Sequence, residues 1–171
     1  ADGGDGGGGG GWRLSGHKSV VPAGDEADAF IVPAVLDGRI ALFLVKRDAA
    51  GLSVRGYPTQ DGARAAEVAM QDSPAALITR EGLDALELAQ DIGIAALAAE
   101  AVGVMDVAKD HTLEYLRTRK QFGAPIGSFQ ALQHRMVDVL LEVEQARSAV
   151  INAAAAVDSE DRVAREKALS A

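Results

Sequence analysis

Residues 119–134 gather the groups in this chain best suited to chemistry. Arg119 and Lys120 form a basic pair at the end of one helical segment. The chain then turns through Gly123, Pro125 and Gly127, and an amphipathic segment opens at Ser128. Such a corner can hold a phosphate, because a guanidinium forks onto two oxygens and a helix N-terminus favours an anion. The same pattern also suits an ordinary helix–helix turn with a solvated arginine, since basic residues collect at helix C-termini to meet the dipole. His17, His111 and His134 are far apart, and none has a partner at metal-ligand spacing, so no metal is expected.

The elements that must position this corner are bounded by composition. At 171 residues the chain can bury one good core or parts of two domains. With no cysteine, disulfides and thiolate metal sites are excluded and a reducing cytoplasm is the expected compartment. A net charge of −8 argues against nucleic acid as a partner, because phosphate backbones demand clustered cations. No apolar run approaches the ~20 residues that span a bilayer. The nearest, Ile92 to Met105, is interrupted by Glu100. No secretory signal is expected.

The first eleven residues hold eight glycines and read as a flexible tether. A phosphate-cradling glycine loop would need a helix and a lysine directly afterwards, and both are missing. From Trp12 to about Gln71 the pattern is β. Residues 29–32 and 40–45 are apolar runs separated by Asp37-Gly38, a hairpin signal. Further strands are expected near residues 53–55 and 66–70, with Val68 and Met70 on a buried face.

The period changes around Pro74. A long helix is expected from Glu81 to about Arg119, carrying a narrow ridge of Gly93, Ala96, Ala99 and Gly103. A second runs from Ser128 to roughly Val157 with Leu132, Met136, Val139, Val143, Ala146 and Val150 as its stripe. A third follows Asp158-Ser159, with Ser159 as its N-cap. It meets no glycine or proline stop signal, so a bundle cut short is expected.

The stretch from Arg119 to Gln130 resembles the R-x-Q-F-G-x-P-I-x-x-F-Q segment of the acyl-CoA dehydrogenase family, position for position. Tyr115 ahead of it, and Gln133, His134, Glu142, Glu144, Ala146 and Arg147 after it, match as well. Gly11 to Lys18 is similar to the family's G-W-x-L-x-G-x-K strand pair, and Thr59-x-Asp61-Gly62 and Ala99 to Gly103 extend a colinear match over nearly the whole chain. In this resemblance the glycine run is an expanded turn before the Trp12 strand.

The resemblance implies an α+β fold: a partial antiparallel β-barrel domain over residues 1–75, then part of an up-down helical bundle over residues 76–171. Family members are roughly twice this long, so a fragment is expected, or a truncated product, nearest to bacterial small-subunit-like members. It further implies FAD-dependent α,β-dehydrogenation of an acyl-CoA thioester in fatty acid β-oxidation. Electrons would pass to an electron-transfer flavoprotein, within a homo- or hetero-oligomeric dimer or tetramer.

Onto this sequence the resemblance carries Arg119 as a contact to the FAD pyrophosphate of a neighbouring subunit. Gln121, Phe122 and Gln130 line the adenosine diphosphate portion, and packing of Phe122 at the corner is compatible with that role. Val20, Val21 and Pro22 fall on the strand beside the flavin ring. Pro22 stands where many members have a threonine, and it offers neither hydroxyl nor N–H, so a ring contact there would come from neighbouring backbone amides.

The catalytic base is expected beyond Ala171. In a minority of members it lies twenty-six residues before the motif arginine, which here is Gly93. Asp91 sits on another helix face, and Glu100 reads as a structural partner, with Arg147 as its candidate mate. This chain alone is therefore expected neither to retain FAD nor to turn over acyl-CoA. Related readings are an acyl-CoA oxidase-like enzyme and a non-catalytic subunit completing a partner's FAD site. A plain helical interaction module explains the β segment poorly.

Overall fold

A computed structural model describes residues 11–170 of the chain, so the glycine-tether expectation for the first residues lies almost wholly outside the described part. The two compact units divide between Leu86 and Glu87.

The first unit is an antiparallel sheet of β1 (Trp12–Pro22), β2 (Ala29–Leu36), β3 (Arg39–Lys46), β4 (Leu52–Pro58) and β5 (Arg64–Thr79), in the order β1-β5-β3-β2 with β4 also on β5. β2 and β3 meet at Asp37 and Gly38, with φ of 50° and 77°, the two left-handed residues that a type I′ hairpin requires. Alternation then buries Phe30, Val32, Phe43 and Val45 with Leu14, Val68 and Met70. Removing a side chain such as Phe43 from water contributes about 1.5–3 kcal/mol. Trp12 closes this core edge-on against Phe43 at 5.7 Å.

β5 organises the sheet by bending. Its first part pairs with β1 and β4, and residues 76–79 pair with β3. The strand therefore runs on through Pro74, where the sequence pattern had suggested a change of period. Pro74 faces Arg13 in the β1 ladder, and on its other edge it falls between the end of the β4 ladder at Met70 and the start of the β3 ladder at Ala76, so on that edge its missing N–H interrupts no pairing.

In the second unit α1 (Leu83–Thr118) ends at a corner, α2 (Gln130–Val157) returns antiparallel to it, and α3 (Arg162–Leu169) follows. Val102 of α1 and Val143 and Ala153 of α2 are buried. Arg147 on α2 bonds Asp106 on α1, not the expected Glu100, which is exposed. Asp106 lies one turn or more nearer the corner, which is where an antiparallel α2 brings Arg147. The cap of α3 is Asp161, whose carboxylate accepts from the amides of Val163 and Ala164. Ser159 instead accepts from the Asp161 amide and orders the approach. No described helix is long and apolar enough to cross a membrane.

Candidate functional site

The corner is built by a short hairpin between the two long helices. Thr118 turns its hydroxyl back onto the Glu114 carbonyl at 3.0 Å, and the Arg119 amide bonds Tyr115 at 2.8 Å, which finishes α1. β6 (Lys120–Gln121) and β7 (Ala124–Pro125) then pair across Phe122 and Gly123. These turn residues have φ of 53° and 81°, again the type I′ pattern. The Ile126 amide donates to the Arg119 carbonyl at 2.8 Å and ties the base of the hairpin.

A 3-10 turn, Ile126–Ser128, leads into α2. Gly127 is required there by contact: a Cβ at this position would lie 2.9 Å from the Leu116 carbonyl oxygen. The Ser128 hydroxyl donates to the Pro125 carbonyl at 2.7 Å, and the Gln133 side-chain Nε2 donates to the Gly127 carbonyl at 2.9 Å.

This frame leaves an electropositive surface. The N-cap of α2, Phe129, provides no side-chain acceptor, and the first turn of α2 holds no acidic residue, so the positive end of its dipole is uncompensated. Among the described residues no carboxylate pairs with Arg119, whose side chain is exposed. Gln121 bonds the Lys120 carbonyl at 2.9 Å, and Gln130 stands exposed at the first position of α2. The structure thus brings Arg119, Gln121, Phe122 and Gln130 to one corner.

Phe122 does not pack into a core at the corner. It is 93% exposed at the hairpin tip, touching Phe129 edge-on at 6.1 Å. A phenylalanine in left-handed backbone costs roughly 1–2 kcal/mol. Fully exposed, it recovers little of that through burial. The glycine at the second turn position was the one signal for this geometry in the sequence.

Val20, Val21 and Pro22 lie at a second strained place, in the sheet. Lys18 faces Val68 and Val21 faces Ala66, so β1 spends one more residue than β5 across this interval. The surplus is a β-bulge, and Val20 within it has φ 53° and is 61% exposed. A β-branched residue in that conformation is strained by about 1–2 kcal/mol. Val21 is half-buried and Pro22 exposed. The amides nearby are already engaged: Ala23 bonds Arg64 at 2.9 Å, Gly24 bonds Val21 at 3.1 Å, and Val20 points at Glu67 at 3.4 Å.

Glu67 was not distinguished in the sequence, because its partners come from other strands. Its Oε1 accepts from the Tyr57 hydroxyl at 3.1 Å, and its Oε2 lies 2.8 Å from His17 Nε2. Partial burial pushes the Glu67 carboxyl up, but hydrogen bonds from Ser19, Tyr57 and the Val20 amide, with attraction to His17, more than offset this and hold it below the usual range. Burial first, and then Glu67, raises the Tyr57 phenol.

Two carboxylates of α1 near Gly93 are taken up by ion pairs to α3. Asp91 is held by Arg165 of α3 at 3.2 Å, with both side chains largely buried. Arg162 holds Glu87 at 2.7 Å one turn away. A Cβ on Gly93 would meet nothing within 4 Å.

The family model for the acyl-CoA dehydrogenase C-terminal domain matches residues 80–171. Acyl-CoA dehydrogenase FadE27 of Mycobacterium tuberculosis is 33% identical over 157 residues, covering 91% of this chain. The chain belongs to the acyl-CoA dehydrogenase family. Among solved structures, the Tcur3481–Tcur3483 steroid ACAD is 36% identical with a TM-score of 0.78 over 93% of this chain. A Mycobacterium smegmatis glutaryl-CoA dehydrogenase in complex with FADH2, 22% identical with a TM-score of 0.78, shares the fold over 93% of this chain. The chain spans about two-fifths of the relatives it matches, 42% of FadE27 and 43% of the steroid ACAD chain.

Residues of the family chain fit FAD unequally. The corner offers a guanidinium with no carboxylate partner among the described residues, a helix start with no side-chain cap and an exposed aromatic ring, which suit a pyrophosphate and its nucleoside. The sheet offers exposed Val20 and Pro22, a surface suited to a flat ring, without a free donor at Pro22.

Proposed function

We propose that this chain is the segment of an FAD-dependent acyl-CoA dehydrogenase that completes the diphosphate side of a neighbouring subunit's flavin site. The observation that carries this reading is Arg119, free of any carboxylate partner among the described residues, beside the uncapped N-terminus of α2. Two charge-assisted bonds from one guanidinium would fix a pyrophosphate oxygen pair. Gln121 and Gln130 add polar contacts, and Phe122 offers its face to the nucleoside. Separately, on the sheet unit, Val20, Val21 and Pro22 form a wall for the ring system of the flavin that this subunit itself holds.

Bound FAD supplies a two-electron acceptor. The overall step removes the α-proton of an acyl-CoA to a carboxylate and the β-hydrogen as hydride, leaving an α,β double bond. With Asp91 engaged by Arg165 and glycine at position 93, we assign the carboxylate to a part of the protein outside this segment. Reduced flavin would then be reoxidised by an electron-transfer flavoprotein in a cytoplasmic homo- or hetero-oligomer. The engaged Asp91 equally favours a subunit that completes a partner's site without its own base.

The test is reconstitution of the full protein, with its partner chain if one co-purifies, followed by flavin stoichiometry and acyl-CoA turnover with an artificial electron acceptor. Bound flavin bleached by acyl-CoA supports the reading. A protein that takes up no flavin at saturating FAD overturns it, and peroxide formed during turnover assigns an oxidase instead.

A further inference from the structure

Glu67 lies at the centre of a polar cluster that joins three strands on the sheet face opposite the core. It extends from β5, while Val68 and Met70 beside it point into the buried side. From β1 come His17, Ser19 and the Val20 amide, and from β4 Tyr57 and the cross-strand Arg55. Its carboxylate reaches the bulge itself, where the backbone at Val20 leaves the extended region. A strained bulge persists only when its surroundings hold it, and Glu67 is the side chain that accepts from it.

We propose that Glu67 is a positioning residue, which fixes the Val20 bulge through its bonds to the Val20 amide, Tyr57 and His17 and so sets the wall formed by residues 20–22. The positioning half of this inference rests on the flavin reading above; the anchoring half rests on the sheet alone. The cluster is shaped for an acceptor with two separate oxygens. Oε1 serves Tyr57 and Val20, and Oε2 faces His17. A glutamine keeps one acceptor at the same reach, whereas methionine keeps the volume and neither bond.

The experiment compares Glu67→Gln, Glu67→Met and wild-type full-length protein by amide hydrogen exchange and by the affinity and visible spectrum of bound FAD. In Glu67→Met, exchange over residues 19–23 is expected to quicken about 10-fold or more, the scale of losing bonds to a charged acceptor. Exchange over β2 and β3 should stay unchanged. Glu67→Gln should recover most of the protection, and the flavin spectrum should shift in the methionine variant only. Wild-type exchange at 19–23 in Glu67→Met overturns the anchoring role, as does equal acceleration in β2 and β3. Faster exchange with unaltered flavin affinity and spectrum overturns the positioning role. A wild-type protein without flavin removes the functional reading, while the exchange comparison still decides whether Glu67 anchors the bulge.

Discussion

Arg147 of α2 reaches both carboxylate oxygens of Asp106 on α1 with a single nitrogen, Nη2, at 2.8 Å each. Lys109 adds a third contact at 3.0 Å, and Glu144 flanks the arginine at 3.7 Å. Asp106 lies one turn beyond the buried Val102 and Arg147 one turn beyond the buried Val143, so the pair links the two helices that frame the corner.

This pair has a pH signature. Hydrogen bonds from Arg147 and then Lys109 hold the Asp106 carboxyl below its usual range. Its contribution is therefore complete above the ordinary carboxylate range and is lost as pH falls through the lowered folded value. Lys109 is raised by Asp106, so its share is complete below the ordinary lysine range and is lost only as pH rises through the raised value. Asp106→Asn should lower the melting temperature at neutral pH by about 3 °C. That gap should close in acid, as melting curves across pH would show; a gap that persists when the carboxylate is protonated contradicts the assignment.

Two kinds of glycine should respond oppositely to alanine. At Gly127 the added Cβ meets the Leu116 backbone at 2.9 Å, and Gly127→Ala should cost about 1–3 kcal/mol. Gly93 and Gly103 lie inside α1 with nothing within 4 Å of a Cβ. In this chain each alanine there should stabilise by about 0.5–1 kcal/mol. Urea unfolding of the three variants tests both signs at once.

Phe122 should separate stability from function. Phe122→Asn supplies a residue suited to left-handed backbone ahead of Gly123, at the cost of the edge contact with Phe129. Stability should hold or rise by about 0.5 kcal/mol. FAD affinity of the full protein should fall about tenfold. Loss of stability with flavin affinity intact would make Phe122 a structural residue after all.

Arg119→Ala should weaken FAD about 10–100-fold while leaving the melting temperature of the flavin-free protein unchanged. Arg119→Lys should recover only part of that, since an ammonium cannot fork onto two oxygens. Titration of the apo-protein with FAD, scored by fluorescence quenching, decides this. Lysine equal to arginine would argue for a simple point charge.

The order of elements was legible because it is local. Asp37-Gly38 specified its hairpin, apolar alternation specified the buried face through Val68 and Met70, and helical spacing gave α1 and α2. The corner motif and its family were legible in residues 119–130 for the same reason, as a continuous string. Tertiary structure decided what depends on residues distant in the chain. Pro74 could stay in a strand because, on the edge away from β1, the β4 and β3 ladders leave a gap at it. Arg147 chose Asp106 over Glu100 because an antiparallel α2 brings it closer to the corner. Glu67 gained its role only when β1 and β4 delivered His17, Val20 and Tyr57 to one carboxylate. Spacing encodes backbone periodicity, whereas pairing between strands and helices is set by register, which no single segment contains.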